Sequence, residues 1–167
     1  SQVVSKKTLA GRQPGVWKYA EFLPVRSTNR VTLGEGGTRL IKSKRLAKTL
    51  GMSNLFLKNE TLNPTGTFKD RCSTVSISKA VESHAGGVVI ASSGNAAASA
   101  SAYSTMAGLP CYVFVPPEAG VGKLLRVDIF GGRITKVLGP IENSAAIAEQ
   151  VSREHGWVNV TTTTKFN

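Results

Sequence analysis

A regular alternation of short apolar runs with helix-like segments, beginning near residue 69, most constrains how this chain can fold. The runs at about 88–91, 111–115, 133–138 and 157–160 are rich in β-branched residues. Helix-length segments separate them. Strands that alternate with helices of roughly 10–15 residues predict a parallel sheet, because a helical crossover returns the chain to the same edge. The sequence therefore predicts an α/β fold in three layers, with helices on both faces of the sheet.

The predicted helices follow from apolar residues at helical spacing and from glycine or proline at their ends. They span about 69–84, 95–106, 120–130 and 142–155. A further helix is predicted at 39–50, where Leu40 and Leu50 belong to one apolar face. Residues 1–37, which are rich in Gly, Pro, Ser and Thr, are predicted to be irregular, and 55–58 to be a short strand.

The formal charge of +11 is concentrated in the first fifty residues, which hold 11 basic and 2 acidic side chains against 10 and 8 in the remainder. A basic half can indicate nucleic-acid binding. Because these fifty residues lack interleaved aromatics and any recognised binding motif, no nucleic-acid partner is predicted. A positive field also favours anionic ligands such as phosphate esters. A basic interaction module stays open as an alternative, which a steep salt dependence of DNA binding would support.

Several classes of protein are disfavoured by what the sequence lacks. No apolar run reaches the roughly 18 residues of a membrane span, and residues 1–7 show no apolar core of a secretory signal. Cys72 and Cys111 are isolated, which predicts two small buried side chains in a reducing compartment. His84 and His155 are isolated too, so no metal site is predicted. We expect a cytoplasmic protein without a membrane partner.

The first candidate site is the segment 63–71, which reads Asn-Pro-Thr-Gly-Thr-Phe-Lys-Asp-Arg. Asn-Pro-Thr-Gly predicts a tight turn, which places Lys69 in the first turn of the following helix. The start of a helix carries partial positive charge and is a poor place for a structural ammonium group, whereas a lysine that reacts as a free amine suits it. A solvated surface lysine is the alternative. Asp70 and Arg71 are predicted to form a structural ion pair.

Two more segments could bind anions. Residues 91–95, Ala-Ser-Ser-Gly-Asn, connect a buried strand to a helix of small residues, so backbone N–H groups at the helix start could bind a carboxylate or phosphate. Gly94 permits a close approach. Alternatively, Ser93 and Asn95 only cap the helix. The third segment, Leu-Gly-Glu-Gly-Gly-Thr at 33–38, is glycine-rich, and a simple turn explains it equally well.

Together and in this order, the three segments resemble the fold-type II enzymes that use pyridoxal 5'-phosphate (PLP), the tryptophan synthase β-like superfamily, and within them the threonine synthases. The family's Leu-Gly-Glu-Gly-Xaa-Thr-Pro-Leu loop is matched by 33–40, with Arg39 at the proline. Its Asn-Pro-Thr-Gly-(Ser/Thr)-Phe-Lys-Asp-Arg-Gly segment is matched up to Cys72, which stands at the final glycine. Its Ser-(Ser/Thr)-Gly-Asn loop is matched by 92–95, and the resemblance extends over nearly the whole chain from about residue 15.

The resemblance implies PLP as the cofactor and assigns roles around it. It implies that Lys69 binds PLP covalently and then moves the Cα proton of the substrate as general base and acid. Phe68 is implied to lie beside the cofactor ring, and Asn95 to hydrogen-bond to its O3' atom.

The resemblance also assigns the substrate contacts. Ser92, Ser93 and Gly94 are implied to receive the substrate carboxylate. Thr38 and Lys123 match positions near the distal phosphate of an amino-acid phosphate. A surface charge on a helix is the alternative for Lys123, and no residue is implied to bind a metal.

The activity implied by the resemblance is that of a PLP-dependent carbon–oxygen lyase of threonine biosynthesis, a homodimer when complete. It converts O-phospho-L-homoserine into L-threonine and phosphate, by eliminating phosphate from Cγ and adding water at Cβ. Ala96 stands where many threonine synthases have Thr. A related PLP enzyme, such as a cysteate synthase or a serine/threonine dehydratase, therefore stays open as an alternative.

The resemblance further implies an incomplete chain. Residues 1–72 correspond to the opening portion of a large PLP domain, 73–160 to a small parallel α/β domain, and 161–167 to the start of the return to the large domain. The family's later glycine-rich phosphate loop, and the Ser or Thr that faces the pyridine nitrogen, are not in this sequence. We expect this piece to be inactive by itself, and a non-catalytic truncated fragment is the alternative.

Overall fold

The computed structural model describes residues 4–26, 28 and 30–162 of the chain. The strands are β1 (Leu40–Lys42), β2 (Phe56–Lys58), β3 (Val88–Ala91), β4 (Cys111–Val115), β5 (Arg133–Lys136) and β6 (Val158–Asn159). The α-helices are α1 (Lys6–Ala10), α2 (Lys44–Thr49), α3 (Asp70–Glu82), α4 (Asn95–Met106), α5 (Val121–Ile129) and α6 (Ile141–His155). Short 3-10 helices lie at Val16–Phe22 and Glu60–Leu62.

A parallel sheet in the order β5-β4-β3-β6 organises the chain from residue 70 onward. The side chains of β3 alternate between its two faces. Val88 and Ile90 belong to the larger apolar cluster, and Val89 and Ala91 to the smaller one. Because successive strand residues point to opposite faces, a strand that is apolar throughout must be covered on both sides.

Helices cover both faces and make three layers. On one face, α4 and α5 pack against the sheet, and α3 packs against α4. On the other face, α6 lies over β3 and β4 and buries Ala148. Helix α4 is buried over most of its circumference, which its alanine and serine side chains allow because they let neighbouring backbones approach closely. The predicted α/β fold class is confirmed, as are the helices predicted at 69–84, 95–106, 120–130 and 142–155, within one or two residues.

The prediction of a helix over 39–50 is wrong in its first part. Residues 40–42 form β1, which pairs antiparallel with β2, Leu40 lying opposite Lys58. Only Lys44–Thr49 is helical. The apolar spacing of this segment fits a helix, but Leu40 and Leu50 are exposed, so no buried face stabilises one. The first 37 residues are also less irregular than predicted, since they contain α1 and the first 3-10 helix.

The two cysteines differ, which corrects the prediction that both are buried. Cys111 is buried on β4, and burial raises the pKa of its thiol to about 11. Cys72 is exposed on α3, with its Sγ 3.7 Å from Ser76 Oγ. Within the described residues, no helix combines the length and the apolar character needed to cross a bilayer.

Asp70, the first residue of α3, is fully buried and joins three segments. Its Oδ2 accepts a hydrogen bond from the backbone N–H of Thr65 at 2.7 Å. Its Oδ1 accepts from the Thr65 hydroxyl and from the Ser99 hydroxyl of α4, the latter at 2.6 Å. The predicted pairing of Asp70 with Arg71 is therefore wrong, because Asp70 turns inward to hold the turn before Lys69 against α3 and α4.

We expect Asp70→Ala to lower the free energy of unfolding by about 3 kcal/mol, because it leaves the buried N–H and hydroxyl of Thr65 without their acceptor and removes a hydrogen bond from Ser99. Urea unfolding of the purified protein measures this change. The exposed Asp128→Ala on α5 is the control and should stay within about 0.5 kcal/mol of the parent. Equal losses in the two variants would contradict the role of Asp70.

Candidate functional site

Three segments meet at the carboxyl-terminal edge of the parallel sheet, where α/β proteins commonly bind ligands. A small cavity of about 20 Å³ marks the meeting point. Lys69 contributes to its lining from the segment before α3, Ala96 from the first turn of α4, and Val160 from the chain after β6. The tertiary fold thus brings Lys69, from the 63–71 segment, beside Ala96 in the first turn of α4, the residue that directly follows the 91–95 segment.

Lys69 occupies the N-cap position of α3, one residue before the helix begins, and not its first turn as predicted. Its backbone is already helical, with φ −60° and ψ −25°. The side chain is half-buried, and its Nζ lies 5.0 Å from the centroid of the exposed Phe68 ring. Among the described residues, none of the ion pairs includes Lys69. The amine is therefore not committed to a carboxylate.

The loop of residues 92–94 connects the end of β3 to α4. The Ser92 hydroxyl accepts a hydrogen bond from the Gly94 N–H at 3.3 Å. A side chain at Gly94 would meet no heavy atom within 4 Å, so open space adjoins the start of the helix. The first N–H groups of an α-helix have no partner within the helix, and with the helix dipole they favour an anion. Together with Lys69, this open helix start can hold a carboxylate beside an amine.

Asn95 begins α4 and is exposed. Its Oδ1 accepts a hydrogen bond from Nη1 of Arg126 at 3.1 Å. Another guanidinium nitrogen of Arg126 donates to the backbone carbonyl of Thr65, in the turn before Lys69. Sequence reasoning missed Arg126, since it lies on α5 and no local pattern connects it to either partner.

Thr38 lies in a partly buried hydrogen-bond network around Glu60. Its hydroxyl donates to Glu60 Oε1 at 2.7 Å, and Arg71 donates to both carboxylate oxygens at 2.6 and 2.8 Å. Asn63 Nδ2 donates to Oε2 at 2.9 Å. The hydrogen bonds from Arg71 first, then those from Thr38 and Asn63, outweigh the cost of burial and lower the pKa of Glu60 to about 2.

The glycine-rich segment 33–38 is held at several points, unlike a simple turn. The buried Glu35 accepts a hydrogen bond from the Tyr103 hydroxyl of α4 at 2.7 Å, and burial first, then Glu35, raises the pKa of Tyr103 well above its usual range. Gly36 has φ +87°, and a side chain there would lie 2.8 Å from the backbone nitrogen of Val16. Only glycine fits this position.

Lys123 lies in the first turn of α5 and is exposed. It precedes Arg126 by three residues, so the two cations are neighbours on the helix surface. Of the predicted site residues, Lys69 lines a cavity with α4, the helix that the 92–94 loop leads into and that Asn95 begins. Thr38 accepts a hydrogen bond at 3.3 Å from Nη2 of Arg71, two residues after Lys69. Lys123 lies on α5, the helix whose Arg126 contacts Asn95.

Comparison with known proteins supports this picture. The sequence profile of a family described as "Pyridoxal-phosphate dependent enzyme" matches residues 31–166. A threonine synthase of Methanocaldococcus jannaschii is 40% identical over 153 residues, which is 90% of this chain and 38% of that protein. A threonine synthase of Methanosarcina acetivorans is 40% identical over 135 residues, or 80% of this chain and 33% of that protein. The chain thus spans less than two fifths of these curated relatives.

Solved structures give the same fold. Maize serine racemase superposes with a TM-score of 0.67 at 31% identity, over 74% of this chain and 37% of that one. Apo diaminopropionate ammonia lyase of Escherichia coli superposes with a TM-score of 0.72 over 81% of this chain and 42% of that one. At 15% identity, this second likeness concerns the fold alone.

We expect Glu60→Gln to weaken the acid sensitivity of the fold. The pKa of Glu60 is about 2 in the folded state against 4.5 without the fold, so its stabilisation is complete above pH 4.5 and is lost as the pH falls toward 2. Urea unfolding at several pH values between 2 and 4.5 measures the slope of the free energy of unfolding against pH. The exposed Glu118→Gln is the control and should keep the parent slope. An unchanged slope in Glu60→Gln would contradict the depressed pKa.

Proposed function

The chain belongs to the family of pyridoxal-phosphate dependent enzymes, and on this basis we propose that the complete enzyme is a threonine-synthase-like lyase whose cofactor lysine is Lys69. The complete enzyme means this chain together with any sequence encoded beside it. The predictions of family, fold class and PLP as cofactor are confirmed at the level of the family. The observation that carries the proposal is the position of Lys69, which is half-buried and lines one cavity with the start of α4. Among the residues that the structure describes, Lys69 takes part in none of the ion pairs.

The described residues fit a PLP group. Lys69 offers an amine for the covalent link, and the exposed Phe68 offers a ring beside it. The open space at Gly94, before the first N–H groups of α4, leaves room for an anionic substrate group. When bound, PLP supplies an electron sink for charge that develops on the substrate Cα.

The chain's own residues perform the remaining tasks. Lys69, once released from the cofactor, accepts the Cα proton of the substrate and later returns it. The loop residues Ser92, Ser93 and Gly94 orient the substrate carboxylate at the N-terminus of α4. Asn95 donates its side-chain N–H to the cofactor ring oxygen.

We further propose O-phospho-L-homoserine as the substrate, with L-threonine and phosphate as products. The support is the 40% identity to proteins named threonine synthase across most of this chain. Lys123 binds the distal phosphate in this proposal. Thr38 stays a prediction as a second phosphate contact, since its hydroxyl donates to Glu60 in the structure.

A related PLP activity is the second candidate, because Ala96 places a methyl group in the cavity beside Lys69 where many threonine synthases have a hydroxyl. A serine/threonine dehydratase or a cysteate synthase would share Lys69 and Asn95. Incubation of the complete enzyme with phosphohomoserine, phosphoserine and threonine, followed by product analysis, separates these activities. Threonine from phosphohomoserine supports the first candidate, and 2-oxobutyrate from threonine supports a dehydratase.

We also propose that the complete enzyme is a homodimer in the cytoplasm. The division at residues 1–72, 73–160 and 161–167 stays a prediction, and residues 163–167 lie outside the described residues.

We expect Lys69→Ala to abolish the borohydride-stable labelling of the complete enzyme by PLP, and to lower turnover at least about 10³-fold, because the covalent link and the proton carrier are both lost. Peptide mass mapping after reduction locates the label. Lys79→Ala, on the same helix and in a surface ion pair with Glu82, is the matched control and should keep label and turnover. Labelling that survives in Lys69→Ala would contradict the assignment.

We expect Lys123→Ala to raise KM for phosphohomoserine about tenfold with a much smaller change in kcat, because a charged contact with the phosphate contributes equally to substrate and transition-state binding. Steady-state kinetics of the complete enzyme measures the split. Lys136→Ala, an exposed lysine on β5, is the control. An unchanged KM in Lys123→Ala would leave Lys123 as a surface charge.

A further inference from the structure

Arg126 links α5 to two parts of the candidate site. One guanidinium nitrogen donates to Asn95 Oδ1 at 3.1 Å and another donates to the backbone carbonyl of Thr65. Among the described residues, Arg126 takes part in none of the ion pairs. The half-buried guanidinium is therefore held by directional hydrogen bonds to two neutral acceptors and not by an opposite charge.

The Thr65 end of this bridge is the rigid one. Thr65 is buried, and both its N–H and its hydroxyl are bound to the buried carboxylate of Asp70. The carbonyl that receives Arg126 therefore belongs to a turn that is tied to the start of α3, next to Lys69. Because the guanidinium is planar and its donors form a fixed fork, anchoring one nitrogen at Thr65 restricts where the other can point.

The Asn95 end has a chemical consequence. An arginine side chain has only donors, so it can be satisfied by the oxygen of the Asn95 amide but never by its nitrogen. The amide is thereby held in one of its two orientations, with the NH₂ group directed away from Arg126. An exposed asparagine without such a partner would present either its oxygen or its nitrogen to a ligand.

We propose that Arg126 is a positioning residue, which holds the Asn95 amide so that its NH₂ group donates to the ring oxygen of the cofactor. This inference rests on the proposed function, in which Asn95 contacts that oxygen.

The test is a pH titration of the visible absorption band of the complete enzyme with PLP bound. We expect Asn95→Ala to raise the titration midpoint by about one pH unit, because the ring oxygen loses a hydrogen-bond donor and holds its proton more strongly. Arg126→Leu should raise it by about half as much, since the amide remains but rotates freely. The double variant should show only the Asn95→Ala shift, because Arg126 acts through Asn95.

Two variants complete the experiment. Arg126→Gln keeps a hydrogen-bond donor on α5, so its titration midpoint should lie between those of the parent and of Arg126→Leu. It also serves as the test if Arg126→Leu does not fold. Arg133→Leu is the matched control, an arginine that donates to a neutral oxygen, the Tyr112 hydroxyl, at 2.6 Å. It should leave the midpoint unchanged.

The outcomes separate this inference from the function on which it rests. A shift in Asn95→Ala with none in Arg126→Leu would overturn the positioning role alone. No shift in Asn95→Ala would overturn the proposed cofactor contact of Asn95, and the positioning role with it. Shifts that simply add in the double variant would show that Arg126 acts through the Thr65 turn or by its charge, and not through Asn95.

Discussion

The candidate site depends on the buried carboxylate of Asp70. It accepts hydrogen bonds from Thr65 on one side and from Ser99 on the other, and so joins the turn before Lys69 to helices α3 and α4. A buried carboxylate is tolerated only where donors replace its lost hydration, which requires these segments to keep their spacing. The position of the Lys69 backbone relative to the start of α4 is therefore a consequence of how the hydrogen bonds of this one carboxyl group are satisfied.

Around Asp70, hydrogen bonds hold the residues that support the site, while space for a ligand stays open at the start of α4. The Glu60 network holds Thr38 and Arg71. Lys69 remains without an ion pair among the described residues, and the start of α4 adjoins open space at Gly94. The Lys69 amine and the start of α4 are thus available to a ligand, while Thr38 and Arg71 are held in structural hydrogen bonds. This arrangement suits a preorganised site.

Some expectations from the sequence failed for identifiable reasons. Residues 40–42 have apolar residues at helical spacing, yet they form a strand that pairs with β2. The conformation of so short a segment depends on the backbone it pairs with more than on its local apolar pattern. Asp70 and Arg71 are adjacent, yet they turn to different partners, since neighbours at a helix start point in different directions. The predicted helix begins at Lys69, whereas α3 begins at Asp70. A difference of one residue is common at helix ends.

The amino-acid sequence determined the layer architecture, because the alternation of apolar strands and helices and the glycines at their ends are local properties with a few compact solutions. It also determined which reactive and anion-binding groups the site contains, namely the lysine of the 63–71 segment and the Ser-Ser-Gly-Asn loop. Only the tertiary structure decided which groups meet. Arg126 contacts Thr65 and Asn95 across long stretches of chain, and such pairings follow from the packing of helices on the sheet, which no local pattern specifies.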